Sequence, residues 1–380
     1  MRIEIYYTFT VYIDIHFSKC YNVSSYKRKG DFVSIKTMIA MSGGVDSGAT
    51  AYLCKRAGHD CIGATMSLFR EEANSNAGDI DDARKIADML GFPFVVMNLA
   101  EQFEQLVIAK FIESYEKGDT PNPCIFCNNH LKFGIMLDEA LKMGCDKLAT
   151  GHYARIEQVW DRFLLKKGAD ITKDQSYVLY GLTQHQLAHL LFPVGDYGKD
   201  EIRQIAEDNG LVNARKKDSQ DICFVPDGDY AAFICRYTGK TYPDGDFVNL
   251  KGDVLGRHKG IIKYTTGQRK GLGLALPAPM YVCKKDMEQN KVVLCSNEEL
   301  FSTRLVAKDF NWIACDCPTS PIRAGVRIRY SQAEQPATII PTSPNSVVIE
   351  FDQPQRAITT GQSAVVYDGD VVVGGGIITE

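Results

Sequence analysis

The sequence predicts three parts in series: an α/β domain on a parallel sheet, a small central domain, and an all-β C-terminal domain. Three observations carry that expectation. From Val33 to Thr150, β-like runs alternate with helix-length runs, which implies parallel strands in a three-layer sandwich. After about Asp227, glycine-rich turns and short mixed segments run to about Cys295. From Leu305 onward, short β-like runs follow one another across turns, the pattern of a small closed barrel or a sandwich. A length of 380 residues fits two or three domains at roughly 150 residues each.

Each element has its own signal. Ile3, Ile5, Tyr7, Phe9, Val11, Ile13, Ile15 and Phe17 alternate with mostly polar positions, as a strand would. The polar, basic stretch from Tyr21 to Gly30 reads as a linker. Nothing downstream needs this extension, so residues 1–32 are expected to lie loosely outside the domains, an extra edge strand being the other reading. Val33–Met41 reads as the first strand, ending in Ser-Gly-Gly. Asp46–Arg56 reads as a helix stopped by Gly58, and Cys61–Leu68 as the second strand. Ile80–Leu90 is helical, with Gly91 and Pro93 as its stop. A strand at Phe94–Asn98, helices at Glu101–Lys117 and Leu131–Met143, and a strand at Lys147–Thr150 complete the series. Ligands in such sheets sit beyond the carboxyl ends of the strands, where Ser42 and Thr150 both stand. In the last part, Val326–Tyr330, Ala337–Ile340, Val347–Phe351, Ser363–Tyr367 and Val371–Val373 read as strands.

Composition narrows the class. Hydrophobic residues make up 45% and charged residues 24%, which excludes a disordered chain, a collagen-like fibre and a coiled-coil rod. Twelve cysteines in 380 residues are too few for a disulfide scaffold. A net charge of −4 argues against a wholly basic nucleic-acid binder but leaves room for a local basic face. No apolar run approaches the roughly 20 residues of a membrane span. Glu4 and Asp14 interrupt what would be the apolar core of a secretory signal. A cytoplasmic, reducing setting is the expectation, and grouped cysteines there more often bind metal or react than form structural disulfides.

Two motifs carry chemistry. Met41-Ser42-Gly43-Gly44-Val45-Asp46-Ser47 lies between a strand and a helix. Glycines allow a phosphate to approach the backbone, and the N–H groups of the turn and helix N-terminus bind the anion. Asp46 is unexpected beside a phosphate unless a magnesium ion or a reacting proton offsets it. The Gly-Lys-Ser/Thr ending of a Walker loop and the glycine spacing of a dinucleotide fingerprint are both missing. The second motif is Thr120-Pro121-Asn122-Pro123-Cys124-Ile125-Phe126-Cys127-Asn128. Its C-x-x-C spacing lets two sulfurs face each other or a metal. Cys223 follows in Asp218-Ser219-Gln220-Asp221-Ile222-Cys223-Phe224, just after Arg215-Lys216-Lys217, cations that would lower a thiol's pKa. A second C-x-x-C is absent and Cys315-Asp316-Cys317 has the wrong spacing, so a structural zinc ranks below a reactive or cluster-binding trio.

Together with Ala149-Thr150-Gly151-His152-Tyr153, Lys173-Asp174-Gln175-Ser176-Tyr177, Leu191-Phe192-Pro193-Val194-Gly195, Gly267–Gly273 and Gly361–Val365, these segments resemble, in family order, the tRNA-specific 2-thiouridylases. The first motif resembles the PP-loop of ATP pyrophosphatases. The resemblance spans about residues 33 to 378. It implies a PP-loop domain of Rossmann-like fold over 33–226, a central domain over 227–295 and a β-barrel over 296–380. It also implies sulfur replacing O2 of a wobble uridine in tRNA. ATP, with Mg2+, would lie on Ala40, Met41, Ser42, Gly43, Gly44, Val45, Asp46 and Ser47, with Met66 and Gly151 lining the pocket. Cys127 matches the family's nucleophile and Cys223 its persulfide carrier, joined transiently by a disulfide. Asn122, Pro123 and Cys124 match the segment around the target base. His152, Lys173, Asp174, Gln175, Arg329, Tyr330 and Gln362 match tRNA contacts. The implied sulfur donor is a cysteine desulfurase, a sulfur-relay protein or free sulfide.

One departure stands out. Many family members carry Asp at the position of Cys124. The change removes a carboxylate and adds a thiol, and Cys124, Cys127 and Cys223 would then suit a 4Fe–4S cluster with one iron open to hydrosulfide. The residues leave this route and the persulfide route both open. The segment Arg70–Gly78 is also shorter than the family's acidic loop. The rival readings are another PP-loop tRNA thiolase, a lysidine-type ligase, which needs no paired cysteines, and a non-catalytic RNA-binding or zinc-stabilised module. Cys54, Cys61, Cys145, Cys235, Cys283 and Cys295 read as ordinary thiols, and His185 and His189 as a surface-helix pair.

Overall fold

The computed structural model of the protein describes residues 34–70, 77–216 and 222–380. The alternation at Ile3–Phe17, the basic linker, most of the short acidic segment and Lys217–Asp221 fall outside those residues.

The first part contains β1 (Lys36–Ala40), β2 (Asp60–Ser67), β3 (Phe94–Asn98), β4 (Lys147–Ala149), a hairpin of β5 (Ala154–Val159) and β6 (Arg162–Lys167), and the short β7 (Leu190–Leu191). The parallel sheet has the order β3-β2-β1-β4-β7. Met38 in β1 faces Ile62 on one side and Leu148 on the other, so β1 is central. Thr37, Met38 and Ile39 are accordingly fully buried. The long connections between parallel strands carry helices α1 (Val45–Arg56) and α2 (Ala77–Leu90). Further helical runs follow, α3 over 100–116 and α4 over 123–142, then α5 (Gln184–Ala188) and α6 (Lys199–Asp208).

Two of these helices are not regular. Glu104–Ile108 in α3 and Cys127–Met136 in α4 are π-helical, with hydrogen bonds one residue longer than in an α-helix. The sequence places the start of the second helix at Leu131. It starts at Pro123 instead, because the Asn122 side chain accepts the Cys124 N–H at 3.1 Å and proline suits the first helical position.

The central domain opens with α7 (Tyr230–Thr238) and forms a four-stranded sheet of β8 (Gly245–Val248), β9 (Val254–His258), β10 (Tyr281–Asp286) and β11 (Lys291–Cys295), in the order β10-β11-β8-β9. The last part has β12 (Phe301–Trp312), β13 (Ile322–Arg327), β14 (Gln335–Ser343), β15 (Ser346–Arg356), β16 (Ser363–Asp368) and β17 (Val371–Ile378). Pairing of β12 with both β15 and β17 closes it into a barrel.

The hairpin β5–β6, which carries no assignment in the sequence reading, joins the barrel sheet through Val371 opposite Lys166. Arg155 Nη2 meets Asp370 at 2.9 Å, and Lys167 Nζ donates to Gly369 O at 2.7 Å. One apolar core therefore runs from Met38 and Leu148 through Tyr177 and Leu179 to Val365, Tyr367 and Val372. A second core joins Phe103 and Phe111 of α3 and Phe224 to Phe247 and Val282 of the central domain.

Candidate active site

The loop after β1 is built to hold an anion. Gly43 has φ +69°, and a Cβ there would stand 2.4 Å from the Asp79 carbonyl oxygen, so only glycine fits. Ser47 Oγ accepts the Ser42 N–H at 3.1 Å and donates to Gly44 O at 2.9 Å, which ties the loop shut from behind. Gly44 caps α1 without any side-chain hydrogen bond, so the first N–H groups of the helix point outward without a capping side chain. Ser42 is exposed at the mouth of the loop. Met66 stands half-buried near the end of β2. Gly151 packs directly on the loop: a Cβ there would lie 2.9 Å from Asp46 C and 3.0 Å from Ser47 N.

The charge of Asp46 is answered by side chains that the sequence reading missed. Lys199 Nζ lies 2.8 Å from Asp46 Oδ1 and 2.9 Å from Oδ2, and Tyr153 Oη donates to Oδ1 at 2.7 Å. Tyr153 belongs to a segment noted for other reasons. Lys199 has a signal of its own: it is the first residue of α6, where a cation opposes the helix dipole and an acid is usual.

The second half of the site is the start of α4. Cys124 and Cys127 are three residues apart on one helical face, the first exposed and the second half-buried. Burial pushes the Cys127 thiol up, Lys132 opposes that, and Cys124 adds to it. Cys223 is solvent-exposed as a residue, yet its thiol is crowded. Burial first, then Cys127 and Cys124, push it up to about 12, again against Lys132. The three sulfurs thus lie within electrostatic reach of one another. Of the three cations expected to activate Cys223, Lys217 lies outside the described residues, and Arg215 and Lys216 are engaged elsewhere. Lys216 is bound to Asp79 at 2.7 Å and Asp82 at 2.9 Å, and Arg215 faces Glu207 at 3.6 Å. Among the described residues, Lys132 is the cation that lowers both thiols, another residue the sequence reading missed. Among the described residues, no three His, Cys, Asp or Glu side chains stand where they could hold a single metal ion.

The residues matched to tRNA contacts divide into two groups. Asp174 is buried, accepting from Gly168 N, Ser176 N and Ser176 Oγ and pairing with Arg327 at 3.1 Å. Gln175 Oε1 accepts the Tyr153 N–H at 3.0 Å. His152 is buried beside Phe133 and Phe192, bonded to Thr150 Oγ1 at 2.7 Å, and burial holds its pKa well below 6.5, so it is neutral. These three brace the site from within. The others stand nearer solvent. Lys173 is half-exposed and Tyr330 is exposed, its ring edge-on to Tyr177 and its hydroxyl under the influence of Asp174 and Cys124. Arg329 donates to Ala357 O at 2.6 Å. Gln362 Nε2 donates to Thr120 O at 2.6 Å while Thr120 N donates to Thr360 O at 2.9 Å. A barrel loop therefore clasps the chain two residues before Asn122. His189 Nδ1 bonds the His185 carbonyl at 2.8 Å, a local contact on a surface helix.

Known families account for nearly all of this arrangement. Residues 35–227 match the model described as the tRNA methyl transferase HUP domain. Residues 231–296 match the tRNA methyl transferase PRC-barrel domain, and residues 302–378 the aminomethyltransferase beta-barrel domain. The tRNA-specific 2-thiouridylase MnmA of Clostridioides difficile is 49% identical over 356 residues, covering 91% of this chain and 99% of that protein. The same-named proteins of Lachnoclostridium phytofermentans and Acetivibrio thermocellus are 47% and 49% identical, each over 90% of this chain and 99% of theirs. With identity at that level along almost the whole length of such relatives, and three domain models in unbroken series, the chain belongs to the tRNA-specific 2-thiouridylase family.

Proposed function

We propose that the protein replaces O2 of the wobble uridine of tRNA by sulfur, converting ATP to AMP and pyrophosphate. The observation that carries this is an anion-binding loop together with a thiol pair one helical turn apart and a third thiol within electrostatic reach of both. The family models are described by methyl transfer, whereas the relatives are named for thiolation. The grouped thiols accord with the relatives' names.

In this reading ATP lies on Ala40–Ser47, between Met66 and Gly151. Magnesium would accompany the triphosphate, with Asp46 the loop carboxylate able to hold it, and would supply countercharge. The uracil O2 attacks the α-phosphorus, pyrophosphate leaves, and the oxygen becomes part of a good leaving group. A cysteine desulfurase or relay protein carrying a persulfide loads Cys223: the Cys223 thiolate attacks the donor's outer sulfur and the donor thiol leaves. The terminal sulfur of the persulfide attacks C2 and AMP departs. The Cys127 thiolate then attacks Sγ of Cys223, leaving the terminal sulfur on the base and forming a Cys127–Cys223 disulfide. An external dithiol reduces that disulfide for the next turnover. Asn122, Pro123 and Cys124 would surround the base, which leaves the anticodon stack to react. His152, Lys173, Asp174, Gln175, Arg329, Tyr330 and Gln362 would contact or brace the segments that hold tRNA. A reducing cytoplasm suits reactive thiols.

A second sulfur route has its own observation. After burial, Cys124 pushes the Cys127 thiol pKa up, and Cys127 and Cys124 push that of Cys223 up, a repulsion that a bound cation would reverse. On that route these three thiolates would be the ligands of a 4Fe–4S cluster after drawing closer together than they stand here, and the cluster would supply a binding place for hydrosulfide. Mass spectrometry of anticodon nucleosides after reaction with tRNA, ATP and a sulfur source, sulfide in one arm and a cysteine desulfurase with cysteine in the other, tests the function. A thiolated wobble uridine made only with ATP is expected, and its absence would overturn the reading. Anaerobic iron and acid-labile sulfide analysis after reconstitution separates the routes, since stoichiometric absence of both excludes the cluster.

A further inference from the structure

Two thiols outside the sulfur-transfer trio stand together in the central domain. Strands β10 and β11 pair antiparallel, with Tyr281 opposite Cys295 and Val282 opposite Leu294. The register then slips, Lys284 faces Val293, and Cys283 is the extra residue of a bulge. Cys283 packs with Cys295, Leu300, Ala357 and Tyr281 in a small cluster where the central sheet meets the barrel. Cys295 is 1% exposed and Cys283 half-buried. Burial first, then Cys283 by charge and by a thiol hydrogen bond, pushes the Cys295 thiol up to about 12. A lone cysteine in such a core is a small apolar side chain. Two in contact, one of them reachable from solvent, are a dithiol open to oxidation.

The bulge also supports a neighbouring face. Val282 O accepts the Gly267 N–H at 2.7 Å, and Val282 N donates to Gln268 O at 2.9 Å. The Arg356 guanidinium lies 4.9 Å from the centre of the Tyr281 ring. A Cβ at Gly267 would stand 3.5 Å from Arg356 Nη1 and 3.9 Å from Arg329 Nη2, so the chain held by Val282 reaches Arg329, which matches a tRNA contact. We propose that Cys283 and Cys295 are a redox pair, which hydrogen peroxide converts to a disulfide that weakens tRNA binding; the effect on tRNA rests on the function proposed above. The Cys283 thiolate attacks one peroxide oxygen and the O–O bond breaks. The departing hydroxide takes the proton that Cys283 gave up and leaves as water, and Cys283 becomes a sulfenic acid. The Cys295 sulfur then attacks Cys283 Sγ, the S–O bond breaks, and the hydroxide leaves with the Cys295 proton as a second water. Two thiols are oxidised to one disulfide and one peroxide is reduced to two waters. A dithiol reverses the change by exchange. The bond holds its sulfurs about 2 Å apart, so it draws the bulge toward Cys295 and shifts Val282 and Tyr281, the supports of Gly267 and Arg356.

Tryptic mapping of the whole protein without reduction, after treatment with hydrogen peroxide, reads the bond directly and needs no variant. Cys283 is the only cysteine in the peptide 271–284, and Cys295 the only one in 292–304, so the disulfide joins two separate peptides. A linked pair that dithiothreitol releases is expected. Titration with tRNA should show affinity lowered by about 10-fold after oxidation, the lower end of the range for one hydrogen bond to a charged group, and restored on reduction. Cys283→Ala/Cys295→Ala should keep its affinity under the same treatment, which separates the effect from oxidation of Cys127 and Cys223. Absence of the linked peptides under peroxide that oxidises the exposed Cys124 would overturn the redox pair. A link with unchanged tRNA affinity, or an equal loss in the double variant, would overturn its action on tRNA. Failure of the reduced wild-type protein to bind tRNA would instead remove the tRNA reading itself, and the mapping alone would still decide the redox pair.

Discussion

At the scale of single residues, the thiols set the chemistry. Serine at Cys127 or Cys223 is expected to abolish thiolated uridine while sparing tRNA-dependent pyrophosphate release. Retained thiolation in either variant would remove that cysteine from the sulfur route, and loss of pyrophosphate release would place it in the adenylation step. The raised Cys223 pKa gives a pH test. Below about 12 the thiolate fraction grows about tenfold per pH unit, so alkylation of Cys223 should climb between pH 7 and 9 without a plateau. Lys132→Met removes a cation that favours the thiolate and should slow the alkylation at every pH. Peptide mass spectrometry after iodoacetamide pulses reads both, and a plateau near pH 7 would contradict the crowding of that thiol. The loop from Met41 to Ser47 is legible in sequence because its glycines and hydroxyls act on near neighbours. Lys199 and Tyr153 are not, since their bonds to Asp46 span 153 and 107 positions. Arg215 and Lys216 mislead for the opposite reason: they are near Cys223 in sequence, but other carboxylates hold them.

At the scale of elements, strands β1 to β4 lie where the alternation predicts them, within a few residues. The π-helical turns are invisible to that reading, because a one-residue change in hydrogen bonding hardly alters which side chains are apolar. Cys127 opens the longer of them, so the widened turn starts at the proposed nucleophile. What fixes the approach to this helix is the clasp from the barrel. Gly361 has φ +83°, and a Cβ there would lie 2.8 Å from Thr120 N. Gly361→Ala is expected to shift Thr120 and Asn122, lowering the thiolation kcat by up to about 100-fold while ATP binding stays unchanged. Single-turnover assays with saturating tRNA check the first part and nucleotide titration the second. Equal loss in both would show that the clasp acts on the whole fold.

For the whole molecule, the three-part order is legible in the sequence, but the connection between first and last parts is not. The hairpin β5–β6 completes a sheet whose other strands all come more than 130 positions later, so no local pattern marks its partner. The same junction holds a buried charge network, Asp174 with Arg327 and Arg327 with Glu334 at 2.9 Å, stacked on the Tyr367 ring. Arg327→Met leaves Asp174 buried and unpaired and should cost about 3–5 kcal/mol of stability. Arg323→Met, which removes an exposed pair with Asp352, should leave thermal unfolding nearly unchanged. Similar unfolding temperatures for the two would show that the junction is not a stability element. The hairpin also bears on how the chain is made. A ribosome releases residues 154–167 long before Val371, so the first domain must emerge with a β-edge open and wait for the last strand of the protein. Synthesis that stops short of β17 therefore yields an exposed edge, prone to pairing with other chains, in place of a smaller working enzyme.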